Sequence, residues 1–185
     1  MPERIEKESL HKMETTIGVL RRELAGIRTG RASAGILDSI KVDYYGTSTP
    51  IKQVASITVP DNRSISIQPW DAATLPLIEK AIQASDIGIT PANDGKIIRL
   101  AMPPLSGERR KEIVKMVKKL GEDNKVAIRN IRRDGMDHAK KLLKAKEMSE
   151  DEERKLESRI QKLTNDFAAK VDSAISDKEK EILES

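Results

Sequence analysis

The residues with the clearest chemical meaning in this chain are the arginines of Arg129-Asn130-Ile131-Arg132-Arg133. A guanidinium is planar, permanently charged and able to give two parallel hydrogen bonds to one phosphate, so three within five residues suit contact with a nucleic-acid backbone. Lys118, Lys125 and Lys140 extend the row. On a helical wheel all six side chains fall in a sector centred about 130° from the apolar stripe, on a surface expected to be open. Aromatic residues are missing from that face, which argues against base stacking and favours structured RNA read through shape and phosphate. Arg28 and Arg31, where the first helix ends, would extend the patch if that end lies nearby. The competing reading is that these charges pair internally with the acidic last helix.

Catalytic patterns are missing. His11 and His138 are the only histidines, and neither belongs to an HExxH or Ser-His-Asp arrangement. Gly95-Lys96 looks like the end of a phosphate-binding loop, but Thr90 stands where its first glycine is required and Ile97 where Ser or Thr is required, so a hairpin turn is expected there. Asn62-Arg63-Ser64 is a glycosylation sequon by pattern only. Carboxylates are plentiful but sit on solvated helix faces, without the burial that tunes a general acid or base. We therefore expect no catalytic residue, no metal and no cofactor. Tyr44 and Tyr45, before Gly46 at a turn, are a candidate partner contact; the alternative is that one tyrosine faces a small core.

Charge is distributed unevenly along the chain. Residues 105–148 hold fourteen Lys/Arg against seven Asp/Glu, residues 149–185 hold seven against eleven, and residues 31–104 are balanced. One helix thus concentrates positive charge, the usual footprint of a polyanion-binding face. With 35% charged residues and only one Trp, one Phe and two Tyr, packing must be largely aliphatic, as in long solvated helices. Cysteine is absent, which fits a reducing compartment. No signal-like segment and no run of about 18 apolar residues is present. A soluble cytoplasmic monomer is expected, with a processed organellar origin left open.

The elements that must position the arginines follow from periodicity. Leu10, Met13, Ile17, Leu20, Leu24 and Ile27 define a first long helix ending near Thr29-Gly30. A second begins after Pro103-Pro104 with Ser106 as N-cap, and its stripe runs Ile113, Val117, Leu120, Asn124, Ala127, Ile131, weakening at Gly135 and His138 before Leu142. About 40 residues make a rod of roughly 60 Å. The third starts at a Ser149-Glu152 capping box and continues through Leu156, Ile160, Leu163, Phe167, Val171, Ala174, Lys178 and Ile182. No such helix is stable alone, so the three must bundle, with the second and third as an antiparallel hairpin. Between them the pattern changes to period two: strands near 40–44, 54–59, 64–68 and 97–100, a turn at Gly46 to Pro50, and one helix around Leu77 to Ile82 that Gly88 can end. The expected fold is α+β: an elongated three-helix bundle (residues 1–30 and 105–185) carrying an inserted β/α/β domain (31–104). Two adjacent chain crossings at Gly30, Arg31, Pro104 and Leu105 would form a hinge, unless the insertion is rigidly docked.

Four motifs in register, Ile27-Arg28-Thr29-Gly30-Arg31-Ala32-Ser33, Val42-Asp43-Tyr44-Tyr45-Gly46-Thr47, Pro103-Pro104-Leu105 with Glu108-Arg109-Arg110-Lys111, and Val126 to Asp134, closely resemble the bacterial ribosome recycling factor family, from end to end. The resemblance implies a factor that acts on the post-termination ribosome. Together with elongation factor G and GTP hydrolysis it would split the ribosome into subunits, releasing mRNA and deacylated tRNA. It also implies that the bundle lies on large-subunit ribosomal RNA near the inter-subunit bridges, through positions matching Arg28, Arg31, Arg129, Arg132 and Arg133. The hinge would lie at Gly30, Arg31, Pro104 and Leu105, with the smaller domain engaged by the elongation factor. The alternative is a helical RNA-binding adapter without splitting activity. Gly121 and Gly135, inside the second helix, are expected to weaken it by about 1 kcal/mol each relative to Ala.

Overall fold

The computed structural model describes residues 2–184. In chain order the elements are α1 (Pro2–Ala25), β1 (Lys41–Tyr44), β2 (Thr47–Pro50), a single turn α2 (Ile51–Val54), β3 (Ala55–Asp61), β4 (Ser64–Pro69), α3 (Leu75–Ala84), β5 (Pro91–Asn93), β6 (Ile98–Ala101), α4 (Gly107–Lys144) and α5 (Glu150–Leu183). Short 3-10 turns occur at Ala34–Leu37 and Ala72–Thr74. They form two compact units, one of Thr29–Ser106 and one of the described residues up to Arg28 with Gly107–Glu184.

In the helical unit α4 and α5 make an antiparallel hairpin. The turn between them is closed by bonds from Lys146 N–H to the Leu143 carbonyl (3.0 Å) and Glu147 N–H to the Leu142 carbonyl (2.9 Å), with Lys146 at φ +59°. That pairing satisfies the last carbonyls of α4, and the reciprocal Ser149–Glu152 capping box then starts α5. α1 runs antiparallel to α4, with Asn124 Nδ2 donating to the Thr16 carbonyl at 2.9 Å, and parallel to α5, with Arg159 pairing Glu6 at 3.0 Å. Each helix buries one stripe: Met13, Ile17, Leu20 and Leu24 on α1, and Leu156, Ile160, Phe167, Val171 and Ile182 on α5. α1 stops at Ala25, earlier than its apolar row suggests, and Ile27, two residues on, is only half-buried.

The stripe of α4 differs from the expected one. Its fully buried positions are Ile113, Val117, Gly121, Ile128, Gly135 and Ala139, whereas Leu120, Asn124, Ala127 and Ile131 are half-buried and His138 is exposed. The two glycines explain the shift. A Cβ at Gly121 would lie 2.7 Å from Ile175 Cγ1, and one at Gly135 2.9 Å from Ser9 Oγ and 3.1 Å from Ile160 Cδ1. These are sites of close helix approach, so the propensity cost of glycine is offset by packing.

In the β-rich unit, strands order as β3-β4-β6-β5, all antiparallel, with β1-β2 a separate hairpin. Alternation buries Ile65 and Ile67 of β4 and Ile98 and Leu100 of β6 in a core shared with Val42, Ile51, Ile78 and Ile82. The hairpin turn is Tyr45-Gly46, both at positive φ (+50° and +82°), so Thr47 to Pro50 is a return strand rather than a turn. α3 ends at Ala84, before Gly88, with Ser85 at its C-cap. Asp94 accepts from the N–H groups of Lys96 and Ile97 in the turn between β5 and β6, so Gly95-Lys96 lies in a hairpin.

Candidate nucleic-acid interface

The α4–α5 hairpin leaves an open groove of about 450 Å³ along one flank, lined by Lys125, Ile128, Arg129 and Arg132 from α4 and Gln161, Thr164, Asn165 and Ala168 from α5. Lys125 and Arg132 flank the buried row Gly121, Ile128 and Gly135, so each lies half-buried at the groove rather than fully outward as the wheel predicts. Arg129 and Arg133 are exposed and carry no ion pair among the described residues. Lys118 and Lys140 are exposed as well.

The two half-buried cations have different partners. Lys125 Nζ pairs with Asp172 across the groove and lies 3.8 Å from Glu122 on its own helix. Its hydrogen bond to Asp172 holds the ammonium above the ordinary lysine range, against the opposing pull of burial. Arg132 instead donates from Nε to the Gln161 side-chain carbonyl at 2.7 Å, and Gln161 Nε2 in turn donates to Asn165 Oδ1 at 2.9 Å. A neutral amide satisfies one edge of the guanidinium without cancelling its charge. The internal-pairing alternative thus holds at Lys125 and not at the arginine cluster.

The carboxylates with resolved shifts, Glu8, Asp61, Asp94 and Glu152, are all held below the ordinary range, by Lys12 or by turn and cap hydrogen bonds. Among the described residues no cluster of three or more His, Cys, Asp or Glu could hold a metal ion, and no helix is long and apolar enough to cross a membrane.

The family described as ribosome recycling factor matches residues 20–183. The chain belongs to that family. It is 55% identical over 177 residues to the ribosome-recycling factor of Oleidesulfovibrio alaskensis, covering 96% of each chain, and 52% identical over 184 residues to that of Pelobacter propionicus, covering 100% of each. A solution structure of a ribosome recycling factor matches with a TM-score of 0.78 at 38% identity, covering 100% of this chain and 98% of the other. A second solved structure matches with a TM-score of 0.65 at 44% identity and 99% coverage of both; it presents models of the T. thermophilus ribosome recycling factor and the E. coli elongation factor G bound to the E. coli post-termination complex.

The remaining residues singled out in this family member are dispersed. Arg28 is exposed just past α1. Because α1 and α4 are antiparallel, with Thr16 beside Asn124, Arg28 lies level with the start of α4, roughly 25 Å along the helix axis from Arg129 to Arg133, and does not extend that patch. Arg31 belongs to the β-rich unit and is half-buried there. The incoming and outgoing segments of that unit are held to neighbouring residues: Ala32 N–H donates to the Asn62 carbonyl at 2.8 Å and Met102 N–H to the Arg63 carbonyl at 2.7 Å. Within the unit these two segments therefore run side by side, and Gly30, Arg31, Pro104 and Leu105 lie one to three residues outside the two bonds.

Tyr44 packs against the core while Tyr45 is 79% exposed, their rings edge to face at 4.6 Å. Tyr45 Oη donates weakly to Asp71 (3.4 Å), whose charge raises the phenol's pKa. Gln161, Asn165 and Asp172 do not stand out in the sequence, since polar residues on an acidic helix read as solvated surface.

Proposed function

We propose that this chain is a translation factor of the cytoplasm that binds the post-termination ribosome and, with elongation factor G and GTP, splits it into subunits, so that mRNA and deacylated tRNA are released. The observation that carries this reading is the match, over 99% of both chains, to a ribosome recycling factor placed with elongation factor G on the post-termination complex. In this reading the groove-side arginines Arg129 and Arg132, with Arg133 beside them, grip large-subunit ribosomal RNA by phosphate contacts, and Arg28 and Arg31 make separate contacts near the hinge. The β-rich unit, with Tyr45 exposed at its hairpin, is the surface pushed by the GTPase. Rotation at Gly30, Arg31, Pro104 and Leu105 lets that push move one unit against the other, and the stiff bundle carries it into the subunit interface. The protein itself performs no bond chemistry; the energy comes from the partner's GTP.

A light-scattering assay on post-termination ribosomes tests this. Scattering should fall when the protein, elongation factor G and GTP are all present, and not when any one is omitted. A factor that sediments with large subunits but leaves scattering unchanged would be an RNA-binding adapter instead. Arg132→Ala should weaken association with large subunits about tenfold to a hundredfold, the worth of hydrogen bonds to a charged group. Association should also fall steeply with salt, because phosphate contacts release counterions.

A further inference from the structure

We infer that Gln161 is a positioning residue for Arg132, so that α5 takes part in RNA binding although its net charge is negative. The inference rests on the proposed role of Arg132 as a phosphate contact. A guanidinium has two edges able to make paired hydrogen bonds: one formed by Nε and an η nitrogen, the other by the two η nitrogens. The Gln161 carbonyl occupies Nε at 2.7 Å. Only the fork of the two η nitrogens is then left for a bidentate phosphate contact.

Gln161 is itself held. Its amide nitrogen donates to Asn165 Oδ1 at 2.9 Å, one turn further along α5, which turns the carbonyl of the same amide toward α4. The chain Asn165–Gln161–Arg132 crosses the groove between the two helices and restrains a long, flexible side chain at its charged end. A restrained guanidinium loses less conformational freedom on meeting a phosphate than a mobile one. Because both supporting groups are amides, the full positive charge of Arg132 is kept for the RNA.

The test is equilibrium binding of the full-length protein to purified large ribosomal subunits across a salt series, for Gln161→Leu and Asn165→Ala, each alone and combined with Arg132→Ala. Gln161→Leu should weaken binding about threefold to tenfold with the salt dependence unchanged, since the charge remains. Asn165→Ala should weaken it less. In the Arg132→Ala background both substitutions should change affinity by less than about 1.5-fold, because the group they orient is gone. Thermal melting identifies any loss that comes from unfolding. Equal losses in both backgrounds, or no loss from Gln161→Leu in the wild-type background, would overturn the positioning role. If Arg132→Ala itself binds like wild type, the phosphate-contact reading fails instead, and the two failures are told apart.

Discussion

Two stations along the α4–α5 flank carry a cation at an equivalent position, seven residues apart beside the same buried seam, yet they differ in what α5 places opposite. Lys125 meets the Asp172 carboxylate, and Arg132 meets the Gln161 amide. The first pair is neutral as a unit and presents little net field to a polyanion; the second presents a full positive charge. Between them α5 lines the groove with the uncharged Thr164, Asn165 and Ala168, and Arg129 carries no ion pair among the described residues. The number of basic residues on a helix face is therefore a poor measure of its attraction for RNA. The facing helix decides which of them are available.

The strongest way to break this comparison is to make the second station like the first. In Gln161→Glu a carboxylate replaces the amide at nearly the same length, keeps an acceptor for Arg132 Nε and cancels its charge. Affinity for large subunits should fall about tenfold near 0.1 M salt, and the salt slope should become shallower by about 0.7–0.9, the share of one phosphate contact. Thermal stability should hold or rise. Binding and slope equal to wild type, measured across a salt titration, would mean that the charge of the facing group is irrelevant.

Much of this arrangement could be read from the residues beforehand. The three long helices, their hairpin, the Ser149 cap and the basic character of α4 follow from periodicity and charge alone, as does the switch to short strands between α1 and α4. The register of the α4 seam did not. Hydropathy scores Gly121 and Gly135 as weak points, whereas neighbouring helices approach too closely there to admit a side chain without movement, and the seam's shift of one residue draws Lys125 and Arg132 from the outward face to the edge of the groove. β2 was missed because Thr47 to Pro50 has turn composition and the actual turn spends a positive φ on Tyr45. Whether Arg28 extends the cluster depends on where the end of α1 lies, and the antiparallel pairing of Thr16 with Asn124 sets it toward the start of α4 instead. The partner residues on α5 were invisible because which polar side chain faces which cation depends on the relative rotation of two helices.

The reverse substitution sharpens the comparison with a gain. Asp172→Asn leaves a neutral acceptor beside Lys125, so the ammonium should begin to count toward RNA binding. Affinity for large subunits should rise about threefold, less than the loss from Gln161→Glu because Lys125 also stands near Glu122 and gives only point-charge contact. The salt slope should steepen. An unchanged affinity with an unchanged slope would show that Lys125 lies outside the contact area, and the first station would then be purely structural.

The smallest effect lies in stability and separates the two partners by titration. Lys125 is held above the ordinary lysine range chiefly by its hydrogen bond to Asp172. A group whose folded pKa is raised contributes stability that is fully present below its unfolded value, near 10.4 for lysine, and is lost as pH rises through the folded value. The melting temperature of wild type should therefore exceed that of Asp172→Asn by about 1–3 °C at pH 7, as a partly exposed ion pair allows, and the gap should close as pH rises through the raised Lys125 value. Any gap between wild type and Gln161→Leu should show no such closure, since the Gln161 amide carries no titrating proton. A gap at Asp172 that persists to high pH would mean that the aspartate stabilises the hairpin by something other than its pairing with Lys125, and the contrast between a neutralised and a charged station would lose its first half.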